Sequence, residues 1–211
     1  KTVFFRIYEK IKAFDLRYEI KFTLPINKFN YFYQWLRFSG VFRKEYPIRH
    51  VTSLYYDTIE NKSSRDNLDG ISQRDKYRIR SYSNKPFNND LLKMYKLNFE
   101  IKSKRDRLGF KTTFKNIEDS LFDFNGNKAS LKFLNYGKIL NENNWPKFAV
   151  PITCLEPKIF VYYKREYYTN PNGIRVTIDS NINFRDYKDI NKKSNMFKID
   201  YTRRIIEFKF S

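Results

Sequence analysis

Three stretches of this chain place a glutamate and a lysine two positions apart inside an apolar run. They are "RYEIKF" (17–22) with Glu19 and Lys21, "NFEIKSK" (98–104) with Glu100 and Lys102, and "IIEFKF" (205–210) with Glu207 and Lys209. Two further stretches line polar residues up at the same interval: "DKYRIRSY" with Lys76, Arg78 and Arg80, and "RVTID" with Arg175, Thr177 and Asp179. Residues two apart in a strand share a face. The charges therefore line one face, and Tyr18, Ile20, Phe22, Tyr77, Ile79, Phe99 and Ile101 line the other. Arginine forks and lysine ammonium groups suit phosphoryl oxygens. Carboxylates are hard ligands, suited to Mg2+ or Mn2+ bridging phosphate and protein. Together they suit phosphoryl transfer, which needs positioning and charge neutralisation more than a covalent nucleophile.

One such strand reads as an antiparallel sheet with a wet face. Five with the same habit point to a closed sheet whose charges turn inward. An eight-stranded barrel has room inside for side chains or one small ligand. A lumen crowded with bases needs neutralising. Glu19, Glu100, Asp179 and Glu207 either pair with those bases or hold a divalent cation.

The elements that must position these residues are mostly strands. Period-two alternation of β-branched and aromatic residues predicts strands over 16–23, 50–56, 75–83, 96–103, 110–114, 157–168, 173–179 and 204–210. "TNPNG" (169–173) is a tight turn that makes a hairpin of the two strands flanking it. "INKFNYFYQWLRFSG" (26–40) reads as a helix with Asn27 as N-cap, Phe29, Phe32, Tyr33 and Leu36 at helical spacing, and Gly40 as the stop. "NKASLKFLNYGKILNEN" (127–143) offers a second helix; "SNKPFNND" and "RDYKDINKKSN" read as polar loops. The fold class is mostly β with flanking helices (α+β), a closed antiparallel eight-stranded barrel or tunnel. Residues 1–211 read as one domain, with 1–15 as a lead-in.

Composition narrows the chemistry. With 42 Lys and Arg against 23 Asp and Glu, a formal charge of +19 draws in nucleic acid, polyphosphate, nucleotides or an anionic surface. Aromatics often alternate with the charges and so fall on the opposite strand face, which favours an anion channel over a base-stacking platform. No sequence-specific nucleic-acid binding is expected. A single cysteine, Cys154, allows no intrachain disulfide and fits a reducing compartment. With one histidine, His50, at the start of an apolar run, a Ser/His/Asp, Cys/His or zinc site is not expected. Asp57 and His50 read as structural, and Cys154 has no evident catalytic partner. No run of about 18 apolar residues spans a membrane, and the opening residues lack a signal-peptide cleavage site. The expected location is the cytoplasm or the cytosolic face of a membrane, with a membrane-attached parent protein compatible with the chain.

At these residues the sequence resembles the triphosphate tunnel metalloenzymes, and within them the VTC domain, the catalytic domain of polyphosphate polymerases. The matching pieces run in order: "RYEIKF", "VTSLYYDT", "GISQRDKYRIRSY", "FEIKSK", "LEPKIFVYYKREYY", "RVTIDSNINF" and "IIEFKF". They cover nearly all of 16–210. The CYTH triphosphatases open on E-x-E-x-K, whereas Arg17 stands at the first position here. The resemblance implies that Lys21, Arg78, Arg80, Lys102, Arg165, Arg175 and Lys209 bind the phosphates of ATP and of a growing polyphosphate. It implies Glu207 as the metal-binding glutamate, with Glu19 and Glu100 as further ligands or ion-pair partners, and Mn2+ or Mg2+ as the ion. VTC domains continue beyond this point into a segment with a basic motif, so the C-terminal end is expected to stop short of it. The implied activity is a polyphosphate kinase-type transfer of the ATP γ-phosphate. The alternatives are hydrolysis of an inorganic or nucleoside triphosphate in the same tunnel, and a non-catalytic polyphosphate- or nucleic-acid-binding module.

Overall fold

The computed structural model describes residues 18–85, 97–106, 108–117, 149–189 and 199–210. Strands β1 (Tyr18–Leu24), β2 (Arg43–Asp57), β3 (Gln73–Ser83), β4 (Leu97–Arg105), β5 (Leu108–Ile117), β6 (Glu156–Thr169), β7 (Arg175–Asp186), β8 (Ile199–Tyr201) and β9 (Arg204–Phe210) form one antiparallel sheet. Its order is β1-β9-β7-β6-β2-β3-β4-β5, with β8 added on β7. The helices are α1 (Ile26–Phe38) and α2 (Lys62–Leu68). The predicted helix over 127–143, the loop residues 86–90, Arg17 and Arg107 lie outside the described residues.

The expectation of a closed barrel needs one correction: among the described residues, β1 and β5 at the two ends of the order are not hydrogen-bonded to each other. The sheet nonetheless curls until its ends face. Lys102 on β4 reaches Glu19 on β1 with Nζ 3.6 Å from Oε2. Strand twist begins this curl, and register shifts sharpen it: β2 slips against β6 near Lys44, Tyr46 and Tyr55, and β6 slips against β7 between Tyr162 and Lys164. Long charged side chains make the contact across the concave side.

The apolar alternation forms two outer clusters. Leu54, Tyr56, Tyr77, Ile79, Phe99, Ile101 and Phe160 pack on the outside of β2, β3, β4 and β6, covered by Ile152 and Leu155. Helix α1 buries Leu36 fully against Tyr168, Val176, Ile178 and Ile206, with Phe29, Phe32 and Tyr33 beside it. Burying a leucine of this kind stabilises by about 1.5–3 kcal/mol. The predicted apolar stripe of α1 is therefore the packed one. Its N-cap is Pro25, two residues before Asn27: Pro25 is extended at φ −67° and needs no N–H bond at the cap. The outer face of β1 is less covered than its pattern suggests: Tyr18 is 72% exposed, stacking on Phe210.

Other differences have local causes. β2 begins at Arg43 rather than near 50, and β7 runs on to Asp186 past the bulge at Asn181 (φ 52°). The hairpin turn is as expected: Asn170 Oδ1 accepts from Ile174 N at 2.8 Å, and Gly173 takes φ 77°. Helix α2 has no apolar periodicity, and Asp57 anchors its start. That carboxylate accepts from Ser63 N at 2.8 Å, from Ser64 N at 2.9 Å and from Ser64 Oγ at 2.9 Å. Asp57 is thus spent on the backbone. Cys154 is a free, exposed thiol. No helix among the described residues is long and apolar enough to cross a membrane.

Candidate phosphate and metal site

The concave side of the sheet collects the charged positions of the alternation. On β1 and β9, Lys21 pairs in register with Glu207, and Glu19 with Lys209. Lys21 Nζ donates to Glu19 Oε1 at 2.8 Å and lies 3.2 Å from Glu207 Oε1. Lys209 Nζ lies 3.5 Å from Glu207 Oε1 and 3.8 Å from Glu19 Oε2. Lys102 closes the group from across the lumen. Thr177 Oγ1 on β7 donates to Glu207 Oε2 at 3.3 Å. Two carboxylates are thereby ringed by three lysines.

A second group sits on β3, β4 and β5. Arg78 donates from Nε to Glu100 Oε2 at 2.8 Å, and its Nη2 lies 2.7 Å from the same oxygen. Lys111 Nζ is 3.2 Å from Glu100 Oε1, and Arg80 Nη1 is 4.0 Å from Oε2. From β2, Tyr55 Oη accepts from Arg78 Nη1 at 3.1 Å and Ser53 Oγ accepts from Arg80 Nε at 3.0 Å. A third group lies on β6 and β7, where Arg165 grips Asp179 with both ends of its fork, Nε–Oδ1 2.6 Å and Nη2–Oδ2 2.7 Å. Arg175 shares the face of Thr177 and Asp179 at the exposed start of β7, opposite Lys209 in register.

The arrangement is graded in depth. Glu100 is 2% and Glu207 5% exposed, while the side chains of Lys21 and Lys102 are 49% and 50% exposed. Burial disfavours the Glu19 carboxylate, but the hydrogen bond it accepts from Lys21 and the charges of Lys102 and Lys21 outweigh that and hold it well below the usual carboxylate range. Burial likewise disfavours ionised Glu100, and the charges of Arg78, Arg80 and Lys111 overcome it and lower its pKa. Burial lowers the Lys102 pKa, and repulsion from Lys21 and Lys209 adds to it against the pull of Glu19. Lys76, also desolvated and close to Arg74, Lys102 and Lys21, is lowered too. Lys21 is raised: its hydrogen bond to Glu19 and the charge of Glu207 overcome its desolvation.

Of the expected site residues, the structure gathers Lys21, Lys102, Lys209, Glu19 and Glu207 in one place and Arg78, Arg80 and Glu100 in another, with Arg165 on the wall between β2 and β7. Among the described residues no three Asp, Glu, His or Cys side chains gather as one metal-holding group. Glu19 and Glu207 share two lysines, so they form the carboxylate pair, and Glu100 is committed to bases. A pair of hard oxygen donors fits Mg2+ or Mn2+, which take one or two carboxylates and complete their shell with phosphate oxygens and water. Sequence reasoning missed Ser53 and Tyr55, which hold the arginines, and Lys111. Period-two parity with Arg78 and Glu100 across the ladder was the available signal.

The VTC domain family model matches residues 13–211. No curated protein matches the chain. Among solved structures, a Bacillus halodurans protein described as a candidate adenylate cyclase is 12% identical, with 92% of this chain and 79% of that one covered and a TM-score of 0.52. A candidate adenylyl cyclase from Hippeastrum, described as having a dominant triphosphatase activity, is 15% identical, with 93% and 80% covered and a TM-score of 0.53. At these identities the likeness is one of fold.

Proposed function

The chain belongs to the VTC domain family of the triphosphate tunnel metalloenzymes, and we propose that it is a phosphoryl transferase that moves the γ-phosphate of ATP onto a growing polyphosphate chain. The observation that carries this reading is the excess of inward bases. Among the described residues, the ion pairs of Lys21, Arg78, Arg80, Lys102, Lys111, Arg165 and Lys209 draw on four carboxylates, Glu19, Glu100, Asp179 and Glu207, and Lys76 lies among further bases. An excess of inward positive charge attracts a polyanion.

In this reading Arg78 and Arg80 orient phosphoryl oxygens through forks that Tyr55 and Ser53 hold in place. Lys21, Lys102 and Lys209 neutralise charge as it shifts toward the leaving group. Glu19 and Glu207 would hold a divalent ion, which would withdraw charge from the phosphates when bound. The terminal phosphate oxygen of the chain attacks the γ-phosphorus, a P–O bond forms, the β–γ anhydride bond breaks, and ADP leaves with the electron pair. Residues 1–211 act as one tunnel domain.

A second reading, hydrolysis of a triphosphate in the same lumen, draws on the triphosphatase activity described for the Hippeastrum protein of like fold. Incubation with ATP and Mn2+, following ADP, orthophosphate and chain length, separates the two. ADP with long-chain product supports the polymerase. Orthophosphate without chain growth moves the function to triphosphatase. Polyphosphate binding without turnover leaves a binding module. Glu207→Gln is expected to abolish metal-dependent turnover with the circular dichroism spectrum unchanged.

A further inference from the structure

Arg49 belongs to none of the charged motifs, yet it lies on the same inner face. It is the register partner of Arg165, and its parity on β2 is that of Val51, Ser53 and Tyr55, of which Ser53 and Tyr55 hold the deep arginines. Its guanidinium carbon lies 5.0 Å from the centroid of the Tyr46 ring and 5.6 Å from that of Tyr167. Those rings meet edge to face, 5.6 Å apart at 88°. Two aromatic neighbours fix the guanidinium while leaving N–H donors at its edge.

Arg49 differs from the other inner arginines in its charge partner. Arg78 has Glu100 and Arg165 has Asp179, whereas no carboxylate or hydrogen-bond acceptor meets Arg49 among the described residues. It is also remote. It lies six steps along β2 from Tyr55, about 20 Å at ~3.3 Å per residue. Between them the inner face carries Val51, buried against Tyr163 and Ile182, and Ser53, which accepts from Arg80. A triphosphate held at Arg78 does not extend that far.

We propose that Arg49, clamped by Tyr46 and Tyr167, is a remote phosphate subsite that takes an internal phosphate of a linear polyphosphate longer than triphosphate. The inference rests on the polyphosphate reading above and adds a determinant of chain length to it. Arg165, adjacent in register, links the subsite to the charged groups around Glu207, and its charge is already matched by Asp179. Among the described residues at this register level, Arg49 is therefore the arginine without an acid partner.

The test is equilibrium binding of tripolyphosphate, ATP and long-chain polyphosphate to the wild-type protein, Arg49→Met and Arg49→Lys, each checked by thermal melting. Long-chain affinity is expected to fall about tenfold in Arg49→Met, the loss of one charge-assisted hydrogen bond. Tripolyphosphate and ATP affinities stay unchanged. The slope of log affinity against log salt becomes shallower by about one for the long chain, and Arg49→Lys retains that slope. Equal losses for tripolyphosphate and long chain would place Arg49 in the triphosphate site and overturn the subsite. A loss confined to ATP would make it a nucleotide contact, and no loss at all would make it structural; either overturns the proposal. A folded wild-type protein that binds neither tripolyphosphate nor long chain sinks the proposed function itself. A wild-type protein that binds both, with Arg49→Met indistinguishable, sinks only the subsite.

Discussion

Lys21 and Glu207 are register partners on adjacent strands, and the lysine Nζ lies 3.2 Å from the glutamate while also holding Glu19 at 2.8 Å. A lysine ammonium therefore stands between the two carboxylates best placed to receive a hard cation. Metal and lysine compete for the same oxygens, and an incoming polyphosphate competes for the lysine. Lys21→Met is expected to raise Mn2+ affinity by about tenfold in the absence of phosphate, the scale of one partly screened charge contact. In the wild type, tripolyphosphate should strengthen Mn2+ binding. Titration calorimetry of Mn2+ with and without the anion checks both; equal affinities for the variant and the wild type would remove the competition.

The Arg165–Asp179 fork is mostly buried and bidentate. Breaking one side of such a pair leaves an uncompensated charge and costs about 3–5 kcal/mol. Asp179→Asn should therefore lower Tm by roughly 10 °C. Added tripolyphosphate should recover part of the loss by supplying an anion. A melting temperature unchanged from the wild type would mean that Arg165 finds other compensation.

Lys102 and Lys76 have lowered pKa values in the free protein, from burial and from the charges of neighbouring bases. They release protons as pH rises toward the ordinary lysine value of about 10.4, earlier than a solvated lysine does. A bound polyanion favours their charged form, so binding near that range takes up protons and affinity falls with rising pH. Lys21, whose pKa is raised, stays charged. Calorimetry of tripolyphosphate binding near pH 9 in buffers of different ionisation enthalpy should register the uptake. Lys102→Met should reduce it, and an unchanged uptake would clear Lys102 of the effect.

Asp57 anchors α2 through backbone amides of Ser63 and Ser64. Asp57→Ala should cost about 1–2 kcal/mol, the range for a lost helix-capping carboxylate. Tripolyphosphate affinity should stay at the wild-type value. A selective loss of anion or metal binding with stability retained would instead make Asp57 part of the site.

The residues most legible in the sequence were those whose role follows from parity. Lys21, Arg78, Arg80, Lys102 and Glu207 alternate with apolar neighbours, and the strands carry them onto one face as the period requires. Ser53 and Tyr55 were overlooked because Leu54 and Tyr56 dominate the same stretch as core residues. Arg49 was hidden by the register shifts before it, which prevent any count from the start of β2. Helix α2 has no apolar periodicity, so only the distant Asp57 carboxylate marks where it begins.

By itself, the sequence determined that the chain forms amphipathic strands and that bases and acids share their polar face, because side-chain alternation is a property of each strand alone. It could not decide which acid meets which base. Glu19 and Glu100 occupy the same local motif, yet Glu19 joins lysines from β1, β4 and β9, while Glu100 is taken by Arg78 of the neighbouring strand and Lys111 of the next. That difference arises from strand order and curl, which bring β1 against β4 across a lumen whose backbone edges do not join. Contacts across the lumen depend on curvature accumulated over the whole sheet, and only the tertiary structure fixes it.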